Sequence, residues 1–233
     1  MTPSALAAEV NVFVTSAAQR LYESLTPQFE QATGHRLVTR FGLPPELIRR
    51  MEAGEPFDVM ILSYDVEGLI KQGRLAADSR ILLGRIGVGV AVRRGAPRPD
   101  FSTVEAFKGS LLAAKAIATS GEGSSGRFVL ALLDRLGIAN QVRPKIRGGH
   151  GTGAMLSRGE VDFAVTGLPP LIGLPDVEWL GYIPPEIQGW IVFSGGLNAN
   201  AREPAAGRAL LKFLTTPAAL AVFRENGIDT ASP

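Results

Sequence analysis

The segment Ile117 to Ala139, IATSGEGSSGRFVLALLDRLGIA, packs three serines and three glycines (Ser120 to Gly126) between a short apolar run and a helical pattern. Phe128, Leu132 and Leu136 recur every four residues and mark the helix. The first amides of a helix have no intrahelical acceptor, and the helix dipole makes that end attractive to negative charge. Hydroxyls and small residues at such an entrance are therefore suited to holding an anion. Two further apolar runs end in the same chemistry, at Thr15-Ser16 and at Thr166-Gly167. Cations accompany these positions: Arg127 just inside the helix, Arg40 before Phe41-Gly42, and Arg147 and His150 around the GGHGTG loop that ends near Thr152. A guanidinium fork matches both oxygens of a carboxylate. Ser124, Ser125, Thr152 and one or two arginines form a candidate carboxylate set.

Other chemistries lack their residues. With no cysteine there is no disulfide framework, thiol nucleophile or thiolate metal site, and two histidines, His35 and His150, argue against a metal centre. The charge of +2 comes from scattered basic residues without aromatic interleaving, which argues against a nucleic-acid partner. GEGSSG has the glycines of a phosphate loop but no GK[ST] ending, so no nucleotide or other cofactor is expected. No apolar run reaches the roughly 18 residues of a membrane span. Ala5-Leu6-Ala7 fits the small-residue end of a secretory leader whose charged and apolar parts are missing, which points to a trimmed leader.

The elements that must position these residues alternate. VNVFVT is a strand; the helix after it carries Leu21, Leu25 and Phe29 on one face and ends at Gly34; HRLVTRF is a second strand. Pro44 opens a helix that stops near Gly54, FDVMIL is a buried strand, and DVEGLIKQGRL a third helix. ILLGRIGVGVAVRRG is long and glycine-containing, as a segment crossing between lobes would be; VEWLGYIPPEIQGWIVFSGGL is its counterpart returning. Between them the alternation restarts with AKAIATS, SSGRFVLALLDRLG, GAMLSRG and VDFAVTG, and two helices broken at Pro217 close the chain. The expected fold is α/β: two Rossmann-like lobes with mainly parallel sheets, residues 1–83 with 195–233 and residues 84–194, joined by two crossing strands. Ligand sites in such folds lie outside the carboxyl ends of strands and in clefts between lobes.

The stretches VNVFVTSAAQRLYESLTPQFEQATGH, LIRRMEAGEPFDVMILSYD, GEGSSGRFVLALLDRLG, RGEVDFAVTG and ALLKFLTTPAALAVFRENGI resemble the periplasmic molybdate-binding proteins and their relatives among type II solute-binding proteins of ABC transporters. The resemblance runs over nearly the whole chain. It implies a monomeric periplasmic protein that closes on a small anion and delivers it to a membrane permease. By position it implies ligand contacts at Ser16 or Ala17, at the loop Gly42-Leu43-Pro44-Pro45, and at Ser125, Thr152 and Thr166, with Thr15 and Ser124 beside them.

The departures from that pattern shift the expected ligand. Ala17 stands where a serine is usual, the GLPP loop has no hydroxyl and two prolines without amides, and Thr166 stands where a tyrosine is expected. Such a site favours an organic carboxylate over molybdate or tungstate. The resembled group also includes aconitate isomerase, which implies an alternative: a cofactor-independent proton shift in a small polycarboxylate, with His150, Glu46 and Glu122 as candidate acid and base. A third reading is a ligand-responsive sensor, cytoplasmic if no leader exists.

Overall fold

The computed structural model describes residues 7–149 and 151–230; Ala5 and Leu6 of the leader pattern, and His150, lie outside the described residues. The chain divides into two compact units, Met1–Arg85 with Val192–Pro233, and Ile86–Ile191. In the first, β1 (Glu9–Thr15) leads through a 3-10 turn, Ser16–Ala18, into α1 (Gln19–Thr33), followed by β2 (Arg36–Gly42), α2 (Pro44–Glu52), β3 (Val59–Leu62), α3 (Glu67–Lys71) and β4 (Ile81–Gly87). The second unit contains β5 (Gly89–Arg93), α4 (Val104–Ala113), β6 (Ile117–Thr119), α5 (Ser124–Arg135), α6 (Ala139–Val142), β7 (Ile146–Gly148), α7 (Thr152–Ser157), β8 (Phe163–Thr166) and β9 (Val177–Tyr182). β10 (Trp190–Leu197) re-enters the first unit, and α8 (Pro204–Leu214) and α9 (Pro217–Glu225) complete it.

Each unit is built on a five-stranded sheet, β2-β1-β3-β10-β4 in the first and β7-β6-β8-β5-β9 in the second. The strands that alternate with helices pair in parallel, β2 and β3 with β1, and β7 and β8 with β6. The long segments expected to cross between lobes supply antiparallel neighbours instead: β10 against β3, and β5 against both β8 and β9. The sheets are therefore mixed, because strands that arrive without a crossover helix have no need to run parallel. The segment read as one long strand is two, broken at Val88. There the Gln188 side chain replaces a ladder neighbour: its Oε1 accepts from the Val88 amide at 3.0 Å and its Nε2 donates to the Val88 carbonyl at 2.8 Å.

Burial follows the sequence pattern. Leu21, Leu25 and Phe29 are all buried on α1, and Gly34 ends the helix in the left-handed region. Phe13 stacks on Phe57 at 4.9 Å within a core that includes Leu47, Met60, Leu62 and Val66. In the second unit Ala91, Ala118, Leu156 and Ala164 form the equivalent centre. One buried carboxylate ties the first unit together. Asp58, 1% exposed, accepts from the Asn11 amide at 2.8 Å through one oxygen and from the Arg202 and Glu203 amides at 2.7 and 2.9 Å through the other. It links β1 to the residues entering α8, and three donors surround a charge that would otherwise be costly to bury.

Candidate functional site

Gly123 stands at the N-cap of α5, where it has no side chain to cap with, and Ser124 and Ser125 are the first two residues of the helix. The cap comes from the end of β6: the Ser120 hydroxyl accepts from the Gly126 amide at 2.7 Å. Ser125, expected from the sequence as a ligand contact, links two strand ends. Its hydroxyl lies 2.8 Å from that of Ser120 and 3.3 Å from that of Thr166 at the end of β8. Thr166 is fully buried and Ser125 nearly so, whereas Ser120 is half-buried.

Donor counting gives this trio its chemistry. Three hydroxyls carry three protons, and two contacts join them. Ser120 already accepts from Gly126, so whichever way the chain is oriented, one hydroxyl proton has no acceptor within it. An acceptor outside the trio must take it, and a helix entrance, whose dipole favours negative charge, suits an anion in that role.

The glycines of this loop answer to packing. Gly121 takes φ +58°, and a side chain there would come within 2.6 Å of the Gly149 amide nitrogen. A Cβ at Gly126 would collide with the Gly121 backbone, and one at Gly148 would meet the Gly121 Cα at 2.8 Å. Close approach of three backbone segments, rather than a supply of bare amides, requires them.

The remaining second-unit candidates are placed plainly. Thr152 is buried and donates to the Thr119 carbonyl at 3.1 Å, holding the start of α7 to the end of β6. Arg127 is exposed on the first turn of α5 and, among the described residues, pairs with no carboxylate. Arg147 is exposed and donates to the Pro144 carbonyl at 3.1 Å. Glu122 is exposed in the loop before α5.

The first unit has a smaller hydroxyl pair. Thr15, 1% exposed at the end of β1, lies 3.1 Å from Ser63 just past β3. Ser16 and Ala17 are half-buried in the turn that follows. Gly42 ends β2 opposite Thr15, and Leu43 precedes α2. The prolines take the first two helical positions, and the next amide, of Glu46, is bonded to the Leu43 carbonyl at 2.9 Å. The first three helical positions therefore leave no free amide, as the two prolines imply. Glu46 is also paired with Arg50 at 3.0 Å, and Arg40 approaches Glu55 at 4.0 Å. Ser120 and Ser63 were absent from the contacts expected by position; the signal that could have found both is the hydroxyl directly following a buried strand.

Among the described residues no three His, Asp or Glu side chains group to hold a metal, and no single helix is long and apolar enough to cross a membrane. A family model described as bacterial extracellular solute-binding protein matches residues 10–229. The chain belongs to that family. This solute-binding protein is 31% identical over 212 residues to an aconitate isomerase from a Pseudomonas species, covering 88% of this chain and 81% of the relative. It is 27% identical to the molybdate-binding protein ModA of Azotobacter vinelandii, covering 96% of this chain and 91% of ModA. Among solved structures it superposes on the periplasmic molybdate-binding protein of Azotobacter vinelandii with a TM-score of 0.79, at 18% identity over 96% of this chain and all of that one. The sulfate-binding protein SubI of Mycobacterium tuberculosis matches with a TM-score of 0.75, at 18% identity over 97% of this chain and 88% of that one. The chain is a ModA-like type II solute-binding protein.

Proposed function

We propose that this solute-binding protein holds a small organic carboxylate at the entrance of α5 and delivers it, in the periplasm, to the permease of an ABC transporter. The observation carrying the proposal is the hydroxyl proton without an internal acceptor in the chain Ser120–Ser125–Thr166. Ser124 and the exposed Arg127 lie on the same helical turn and are the proposed partners of the carboxylate oxygens. A thermal-shift series at equal concentrations tests this. Citrate or cis-aconitate should raise the melting temperature more than molybdate or tungstate; a larger shift with molybdate overturns the choice of ligand.

A second reading has its own support in the 31% identity to a protein named aconitate isomerase. In it the same site binds the tricarboxylate and a proton moves between two of its carbons, with no net change in composition. Of the acid–base candidates, Glu122 is exposed and Glu46 is held by Arg50. Ultraviolet absorbance of cis- and trans-aconitate incubated with the protein separates the readings: interconversion makes it an enzyme, and binding without interconversion leaves it a carrier.

A further inference from the structure

The second unit has a concavity at the strand ends opposite the hydroxyl trio. β8 begins at Phe163 and ends at Thr166, a span of about 10 Å at the usual rise per residue. Thr166 belongs to the trio, whereas Phe163 lines a groove of ≈ 450 Å³. That volume falls within the range of roughly 300–1,000 Å³ typical of small-molecule pockets. The walls are apolar where Pro97, Pro99, Ala113, Val161 and Phe163 line them.

Charge on the rim is uneven. Arg93, Arg98 and Lys115 face one carboxylate, Asp162. Asp162 already accepts from the Lys115 and Ala116 amides at 2.6 and 3.2 Å, and Arg98 is bound to Glu178 at 2.7 Å. Arg93, the last residue of β5, lies against Gly159, its guanidinium carbon 3.7 Å from where a Cβ would stand. Among the described residues neither the Arg93 guanidinium nor the Lys115 ammonium has a hydrogen-bonded or ion-paired acceptor. An apolar floor between two such cations suits a ligand with an apolar body and one negative end.

We propose that this groove is a second small-molecule site, independent of the α5 entrance, which takes a monocarboxylate carried on an aromatic or aliphatic body. Its apolar part lies on Pro97, Ala113 and Phe163, and its carboxylate pairs with Arg93 and Lys115.

Calorimetric titration of the full chain with 2-naphthoate tests this, with 2-naphthalenemethanol as the uncharged control. The naphthoate should bind, and the alcohol should bind about tenfold or more weakly, as expected when charged hydrogen bonds are lost. The double variant Arg93→Gln/Lys115→Gln should lose a similar factor, and Ala113→Trp, which fills the groove, should abolish binding. All three changed positions are exposed, and far-ultraviolet circular dichroism verifies that each variant is folded. Ser125→Ala should leave naphthoate binding unchanged. No binding at millimolar naphthoate, equal binding of the alcohol, or binding insensitive to the groove variants overturns the proposal. So does binding lost through Ser125→Ala, which would place naphthoate at the α5 entrance instead.

Discussion

Replacing Ser125 by alanine removes the middle member of the hydroxyl trio, and its consequences can be worked out atom by atom. Both side-chain contacts disappear, at 2.8 and 3.3 Å. Ser120 keeps its bond from the Gly126 amide, but the fully buried Thr166 hydroxyl is left without a partner. An orphaned buried hydroxyl costs about 1–3 kcal/mol, so the unliganded protein should lose roughly that much stability. Thr166→Val is the informative comparison. It keeps the shape and removes the hydroxyl at the end of the trio, leaving the Ser120–Ser125 contact intact and nothing orphaned, so the expected loss is about 0–1 kcal/mol. Binding should separate the two further. If Ser125 itself donates the extra proton to a carboxylate, losing that charge-assisted bond in Ser125→Ala costs about 1.5–3 kcal/mol, or roughly 10- to 150-fold in affinity. Urea unfolding without ligand and calorimetry with citrate or cis-aconitate measure the two quantities. Wild-type affinity in Ser125→Ala would refute Ser125 as the donor, whatever the stability data show. Equal destabilisation by both substitutions would refute the assignment of Ser125 as the link.

Three more outcomes follow from particular contacts. Asp58→Ala removes the acceptor of three part-buried amides, and a loss of about 1–3 kcal/mol in urea unfolding is expected; a loss below about 1 kcal/mol would mean that water replaces the carboxylate. Gly126→Ala drives a Cβ into the Gly121 backbone, so it should lower the melting temperature and weaken ligand binding together, whereas Gly137→Ala, outside the site with φ +70° and open space, should lower the melting temperature alone. The Arg80 guanidinium, donating to Asp65 at 2.8 Å, holds the Asp65 carboxyl below its ordinary 3.8. A depressed acid contributes stability above its unfolded pKa and loses it as the pH falls toward the folded one, so Asp65→Asn should flatten the acid limb of a stability–pH curve below about pH 4. An unchanged acid limb would show the pair to be fully screened.

The sequence conveys local pattern well and partnership poorly, and individual residues show why. Leu21, Leu25 and Phe29, Pro44, Gly34 and the break at Pro217 all act through neighbours within one turn, so their roles are readable from spacing. α4 was not read because its buried residues are only Phe107 and Leu111, with Gly109 and Ser110 between them. The antiparallel strands depend on which distant segment arrives beside them, as Ser194 opposite Leu62 illustrates. Ser120 shows the limit within the site itself. Its hydroxyl was visible at a strand end, but its role as the acceptor for Gly126 depends on a loop folding back on itself.

The placement of β10 also bears on the order in which the protein can form. It lies between β3 and β4, so the first sheet lacks an interior strand until residues beyond 190 have been made. Asp58 likewise waits for Arg202 and Glu203 before two of its three donors exist. The second unit, Ile86–Ile191, is continuous in sequence and has no such dependence. During synthesis the middle of the polypeptide can thus reach its native state while the beginning is still incomplete, and a chain truncated after Ile191 would carry a finished second unit attached to an unfinished first.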